Sequence, residues 1–577
     1  MREFMKKAIC LALALAMAVS VSACSGDGGG SSSTDNSSSG GASESSEETI
    51  EEVTLSVYMP DSALTTGGIQ TDPIAEQIKK ETGVTMDVTI NDNDKTQAMV
   101  ASGDLYDVNV LGSLEYVEPL IKTGALSAMD DYLQYAPILT ENFQQLLDYS
   151  RDYLSAGTGK VYVLPARANS EELPVSVDQN GTFMRWDYYK EAGMPEINSI
   201  DDYLELLADI QEKHPTTEDG KKVYGVSSFV DWGAYCYTEY SILTKVKGIM
   251  SCGELQSYNL SDLSYYDLYD DNNLWWQNAE LNWKANQMGL LDPETYVQNH
   301  DALVQKLTEG RVLTSPVYWE VKNLPLESNQ KFVDIPFADT AEFTSWVTRN
   351  SPLGYAERMW FLSSNMDDTK MKAALRLLNW LYSPEGNRVI VNGVEGGAWN
   401  LNEDGEAELT EEAIEALTSA DASSFKDSYF MDKYTGLRGL EGTVAYNGLV
   451  MDLASQNDIV KLTLSDAEKE YCDHFGVEVP LDVFVNRENQ SNCNKAHTSL
   501  MTTDIPTDVS RITTSVLNYM MQEVPNLVDC ATEQEYDAKV AAMKEEIKNM
   551  GYDTVSEFYK ESFTNAVAEW DKLSKAN

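Results

Sequence analysis

The side chains able to do chemistry in this 577-residue chain are mostly carboxylates and aromatic rings. Histidine is scarce: His214, His300, His474 and His497 stand apart, form no H-E-x-x-H pair for a metal, and each reads as a surface histidine. No G-x-S-x-G nucleophile elbow occurs, and Gly157-Thr158-Gly159-Lys160 lacks both the spacing and the hydroxyl of a phosphate loop. The seven cysteines include no C-x-x-C pair, which argues against a zinc ribbon or a redox dithiol. Bridges Cys236–Cys252 and Cys472–Cys493 stay open, as does the state of Cys530, because geometry decides pairing. Carboxylates are so numerous that a glycosidase-type acid pair could be imagined anywhere, and the spacing that would define one is not readable, so a hydrolase stays open on this ground. One segment approaches a calcium loop, with Asn400, Asn402, Asp404 and Glu411 at ligand positions and Gly405 in the glycine place. Asn at the first ligand position and Ala407 where a large apolar residue belongs weaken the match, so a hairpin turn at Asp404-Gly405 is favoured and no metal or cofactor is expected.

The aromatic residues carry the stronger signal. Trp232 and Tyr235 lie in Asp-Trp-Gly-Ala-Tyr, Trp275 and Trp276 follow Asp271-Asn272-Asn273, Tyr318 and Trp319 follow Ser315-Pro316, and Trp399 follows Gly396-Gly397. Sugar rings lay C–H faces on aromatic planes while their hydroxyls need acids and amides, and these polar, loop-like surroundings offer both. Trp360 and Trp380 sit on apolar elements and read as core.

These rings need a scaffold. Arg2, Lys6 and Lys7 precede an apolar run from Ala8 to Val21, shorter than the ~20 residues of a membrane-spanning helix, so residues 1–23 read as an export signal. Ser22-Ala23 before Cys24 suits a lipoprotein signal peptidase, making Cys24 the expected lipidated residue, and residues 24–48 read as a flexible Gly/Ser tether. Residues 49–577 form the folded body. Val53 to Tyr58 alternate as a strand; Asp72-Pro73 opens a helix that Gly83 ends; Val84 to Ile90 alternate again, giving a strand, helix, strand unit and an α/β fold with mostly parallel sheets. Val108 to Leu111 reads as a further central strand. Helices are expected from Ser199, from Asp292-Pro293 to Gly310, and along Met371, Leu375, Leu378 and Leu381, with Ser383-Pro384 as a break.

Five stretches, in order, resemble one family. Ala101-Ser-Gly-Asp-Leu-Tyr-Asp107 is similar to an A-S-G-D-L-P-D strand entry, with Tyr106 in place of Pro, and Gly159-Lys-Val-Tyr-Val-Leu-Pro165 is similar to G-K-x-Y-x-x-P. Met184-Arg-Trp-Asp-Tyr188 to Gly193, with the helix from Ser199, resembles an R-x-D-[WL] helix pair. Ala374 to Gly386, continuing through Gly393-Val-Glu-Gly396, resembles L-L-N-W-L-Y-S-x-E-G and G-x-E-G; Tyr536 to Gly551 and Phe558-Tyr559 resemble closing helices. The family is the extracellular solute-binding lipoproteins of bacterial carbohydrate ABC importers, family 1 type, large-lipoprotein branch.

The resemblance implies a two-lobed periplasmic-binding-protein-like fold of type II, with interdigitated segments and a hinge, closing on an oligosaccharide and delivering it to membrane permease subunits, without catalysis. It implies Asp107 and Arg185 as motif positions near the cleft and Trp399 just beyond G-x-E-G; Trp232, Tyr235, Tyr318 and Trp319 are added from loop context. Asp107 has local capping, and Arg185 a salt bridge to Asp187, as the alternative role. A monomer on the extracellular face of the membrane, held only by its lipid, is expected; an anchored glycan hydrolase, an adhesive protein and a receptor for a peptide or other non-sugar solute are the alternatives. With 93 acidic against 42 basic residues, the net charge of -51 excludes nucleic acid as a partner and disfavours strongly anionic ligands such as polyuronides unless residues like Arg185 create a local exception.

Overall fold

The computed structural model describes residues 50–573 apart from 61–63, 171–179, 323, 340–344, 349–350, 419–421, 486–489, 494–495 and 503–504. The signal, Cys24 and the tether lie outside the described residues.

Two sheets organise the body. The strands that form them are, in chain order, β1 (Val53–Met59), β2 (Gly68–Ile69), β3 (Val84–Ile90), β4 (Val108–Leu111), β5 (Val163–Ala166), β6 (Asn180–Arg185), β7 (Thr314–Val317), β8 (Phe332–Asp334) and β9 (Tyr355–Leu362). The first lobe is a six-stranded sheet in the order β2-β3-β1-β4-β9-β5. Its centre is built as the sequence reads: β1 pairs in parallel with β3 and β4, and the helix Pro73–Thr82 crosses over between β1 and β3. Asp72 caps that helix by accepting from the N–H of Ile74 at 3.1 Å and of Ala75 at 3.2 Å. Gly83 closes it at φ +76°, where a Cβ would stand 2.5 Å from the Glu51 carbonyl oxygen. One core lies on each face, with Leu55, Val57, Leu375 and Leu378 in one and Tyr58, Leu111, Phe361 and Trp570 in the other.

Strand direction departs from the expected mostly parallel arrangement. β9 runs antiparallel to both β4 and β5, and the second lobe's sheet, β7-β6-β8, is antiparallel throughout. β9 re-enters the first lobe after the chain has traversed the second, so its direction is set by that return and not by a local crossover. The helix expected from Asp292 begins instead at His300, capped by the Asn299 side chain, and runs to Thr308. Asp292 is spent as a buried acceptor for the Lys306 ammonium at 2.6 Å and the Ser227 hydroxyl at 2.8 Å. The helices Asp368–Leu381 and Pro384–Asn392 meet at Ser383 as expected.

Three segments link the lobes side by side. Ala168 bridges Ser351 and Leu440, and the Asn169 amide donates to the carbonyls of Glu441 at 2.6 Å and Val444 at 2.9 Å. Arg167, at φ +59°, sends its guanidinium to Glu441 at 2.7 Å, and Arg438 approaches the same carboxylate at 3.8 Å. Although burial alone would raise it, the two guanidinium groups hold the Glu441 carboxyl below the usual range. The helices Thr507–Glu523 and Glu533–Asn549 and the start of Tyr552–Leu573 pack on the second lobe; Ala566 and Trp570 of the last helix reach the first.

Candidate functional site

In open α/β sheets ligands lie beyond the carboxyl ends of strands, which in the second lobe means the segment after β7. There the chain turns into the short helix Tyr318–Val321 and places Trp319 beside Trp232, their ring centroids 5.8 Å apart and 22° from parallel. Trp232 rests on His300 at 4.5 Å and 29°, is backed edge-on by Phe229 at 5.0 Å, and has Tyr235 at 5.9 Å. The stack has a polar foundation. The His300 ring nitrogen Nε2 lies 3.0 Å from the buried Glu320 carboxylate, whose other oxygen accepts from the Tyr240 hydroxyl at 2.7 Å and the Ser315 hydroxyl at 2.9 Å. The Asp231 carboxylate accepts the His300 backbone N–H at 2.9 Å. The imidazole and the carboxylate beneath the indole are thus tied into the fold, yet Trp232 itself is 45% exposed. A large apolar ring, rigidly backed and left open to solvent, has the geometry on which a flat, hydroxyl-rich molecule can stack.

Of the expected ligand residues, Trp232, Tyr235 and Trp319 come together. Tyr318 turns to the other side of its helix, against Phe183 at 5.6 Å, and lines a cavity of about 150 Å³ with Phe332, Val460 and Phe484; burial pushes its hydroxyl up to about 12. Asp107, Arg185 and Trp399 are placed differently from what the motif resemblance implies. Asp107 immediately precedes β4, at the end opposite the cleft, and is spent on the Ser56 N–H and hydroxyl, both at 2.9 Å, and on the Lys370 ammonium. Arg185 grips Asp187 through two hydrogen bonds and lies 3.9 Å over the Tyr188 ring, so its fork is already filled. Trp399 is buried with Ala398, Leu409 and Met431, its indole N–H donating to the Gly393 carbonyl at 2.9 Å. Trp275, Trp276 and Trp360 are buried core.

The calcium-like segment forms an antiparallel hairpin of Trp399–Leu401 with Ala407–Leu409, turning at Asp404-Gly405. Asn402 Oδ1 accepts the N–H groups of Asp404 at 3.0 Å and Glu406 at 2.9 Å, while Asn400 sits on a strand and Glu411 opens a helix. Turn bonds thus occupy the oxygen a cation would need, and among the described residues no cluster of His, Cys, Asp or Glu is placed to hold a metal. Cys236, Cys252, Cys472 and Cys530 are free, buried thiols, so the bridges left open above are not formed.

His300 and Glu320 are the parts of the platform that local sequence does not reveal. Both sit near the aromatic segments, but what makes them functional is contact across the fold, His300 with Trp232 and Glu320 with Tyr240. On the first lobe, Glu115 follows β4 and lies within electrostatic reach of Glu254 and Tyr559 of the second, and burial together with Glu115 raises the Glu254 carboxyl. A cavity of about 630 Å³ opens nearby between Leu114, Tyr149, Tyr153 and Phe558; none of its lining residues belongs to the platform.

A two-lobed α/β body, hinged by parallel segments and carrying an open aromatic platform beyond a strand end, defines a ligand-binding protein of the periplasmic-binding type. The chain belongs to the family of bacterial extracellular solute-binding proteins, whose family model matches residues 73–403. No curated protein matches by sequence. Among solved structures, the ABC-transporter substrate-binding protein FusA of S. pneumoniae, an EF-hand mutant in complex with fructo-nystose, is similar at a TM-score of 0.60 and 15% identity, covering 90% of this chain and 100% of that one. The alginate-binding protein AlgQ2 without calcium ion gives 0.57 and 15%, covering 89% and 99%. A solute-binding protein of Bifidobacterium longum infantis associated with an HMO-binding ABC transporter gives 0.58 and 14%, covering 89% and 98%. At these identities the likeness is one of fold.

Proposed function

We propose that this protein is the capture component of an ABC importer, anchored outside the cell through a lipid on Cys24, which closes as a monomer on an oligosaccharide and hands it to membrane permease subunits without chemical change. The observation that carries the reading is the open Trp232 face, stacked on His300 and Trp319 beyond the carboxyl end of β7. Membership of the solute-binding family supports capture and transport, and the similar structures include proteins described with fructo-nystose, alginate and HMO. The three linking segments around Ala168, Ser351 and Leu440 suit a hinge.

Calorimetry and thermal shift against a glycan panel test the reading. Saturable binding of at least one oligosaccharide, with no release of reducing ends on long incubation, is expected. Binding of peptides alone, or sustained turnover of a polysaccharide, refutes it. Metabolic labelling with a fatty acid, lost in Cys24→Ala, tests the anchor separately.

A further inference from the structure

The cavity of about 630 Å³ beside β4 is separate from the aromatic platform and draws its walls from both lobes. The first lobe supplies Leu114, just beyond β4, and parts of the helices Val117–Lys122 and Gln144–Tyr153. The other wall is the helix Tyr552–Leu573, where Phe558, Glu561 and Asn565 recur three and four residues apart and so share one face. The volume suits a small molecule, whose sites run roughly 300–1,000 Å³. Part of the lining is aromatic. Tyr149 and Tyr153, one helical turn apart, have centroids 5.5 Å apart at 33°, and the Tyr149 hydroxyl is tied to the Ser499 carbonyl at 2.7 Å. Burial, with Glu569 and Asp152 adding to it, pushes the Tyr153 hydroxyl up to about 12, so that ring stays neutral at ordinary pH.

The charged part of the lining has one sign. Glu118, Asp152 and Glu561 line the cavity, and among the described residues no lysine, arginine or histidine does. The neighbouring cations are directed elsewhere. Lys122 pairs with Glu118, and Arg151 is turned to Asp130 and Asp148, both at 3.3 Å. Lys560, beside Glu561 in sequence, leaves the helix about 100° around from it. Asp152 and Glu561 stand exposed at the rim with no hydrogen bond or ion pair among the described residues. A concavity lined by one sign of charge concentrates ions of the opposite sign, and the faces of Tyr153 and Phe558 attract the same cations through their ring quadrupoles. An anion is repelled there, and a neutral polyol gains nothing from the charge.

We propose that this cavity is a second binding site, for a small organic cation whose ammonium is held by Asp152 and Glu561 and whose carbon body lies against Tyr153 and Phe558. The site is independent of the oligosaccharide reading, because none of its lining residues belongs to the platform. An amino sugar and an aliphatic polyamine share the chemistry it recognises.

Calorimetry on the full chain compares glucosamine and putrescine with N-acetylglucosamine, which keeps the sugar ring and removes the charge. At least one amine should bind saturably at one site per chain, more tightly than N-acetylglucosamine and with an affinity that falls as salt rises. D152N and E561Q should each weaken it by about threefold, the scale of one exposed ion pair, and the double variant by about tenfold. N565W, which puts a large ring on the cavity face of the exposed helix, should abolish binding while melting as the parent does. W232A should bind the amine unchanged, so a failed glycan titration leaves this site standing and a failed amine titration leaves the platform standing. Preference for glucosamine or for putrescine assigns the cation to amino sugars or to polyamines, and either supports the site. Amine binding that D152N, E561Q and N565W all leave unchanged is diffuse attraction to an acidic surface and overturns the proposal. Equal affinity for N-acetylglucosamine, or no saturable binding of either amine, overturns it as well.

Discussion

Among the described residues, Trp232 is the large aromatic ring left most open to solvent, and replacing it by alanine removes it. An indole of roughly 250 Å² total surface that is 45% exposed offers about 110 Å², of which a sugar ring lying on one face covers roughly half. The C–H face of the sugar loses a similar area, so about 110 Å² leaves water in total, worth about 2.8 kcal/mol at about 25 cal/mol per Å². Ordering the ligand returns part of that gain, so W232A is expected to weaken binding by about 2 kcal/mol, roughly thirtyfold. W232F keeps a smaller face and should lose about tenfold or less. Calorimetry gives the affinities, and the quenching or shift of tryptophan fluorescence seen in the parent on ligand addition should largely vanish in W232A. Because the indole is partly exposed and its neighbours His300 and Glu320 remain bonded to each other, the melting temperature should move little. A W232A protein that melts like the parent and binds the glycan with unchanged affinity would refute the platform.

Other perturbations separate the platform from its supports. H300A should weaken glycan binding by about fivefold through loss of the ring beneath Trp232, and calorimetry on the purified variant checks it. E441Q should destabilise the fold by about 3 kcal/mol in a denaturant titration, because Arg167 and Arg438 are left partly buried without their anion. Glu441 titrates below the usual range in the folded protein, so its contribution is present above the ordinary glutamate pKa and is lost as pH falls through the lower folded value; the parent should lose stability below about pH 4 and E441Q should lose less over that window. Burial raises the Cys236 and Cys472 thiols to about 11, so reductant should leave the melting temperature unchanged and thiol reagents should label these sites only after denaturation.

Legibility in the sequence follows the distance over which each feature is decided. The β1, helix, β3 unit was readable because alternation, Asp72-Pro73 and Gly83 act within one turn or one strand, and the structure uses each as read. The antiparallel β9 was not, because its partners β4 and β5 lie some two hundred residues away and no local pattern encodes direction. The same rule sorts the site. Trp232 and Trp319 were visible as rings in polar loops, a property of their immediate neighbours. His300 reads in the sequence as an ordinary surface histidine, since its surroundings come from the indole above it and the carboxylate beside it.

Motif positions behave in the opposite way, and this bears on how specificity arises in such a protein. Asp107 and Arg185 stand in the stretches that most resemble the family, and the structure spends both on the scaffold: one ties β1, β4 and Lys370 together, the other fixes the start of a helix through Asp187. Residues spent on the scaffold in this way serve folding, whereas a ligand in such sheets lies beyond the strand ends. On the reading proposed above, what meets it is Trp232 and Trp319, carried on segments beyond the strand ends. Specificity can then change without touching the scaffold, by exchanging a ring of the platform while Asp107 and Arg185 keep their strands and helices in place.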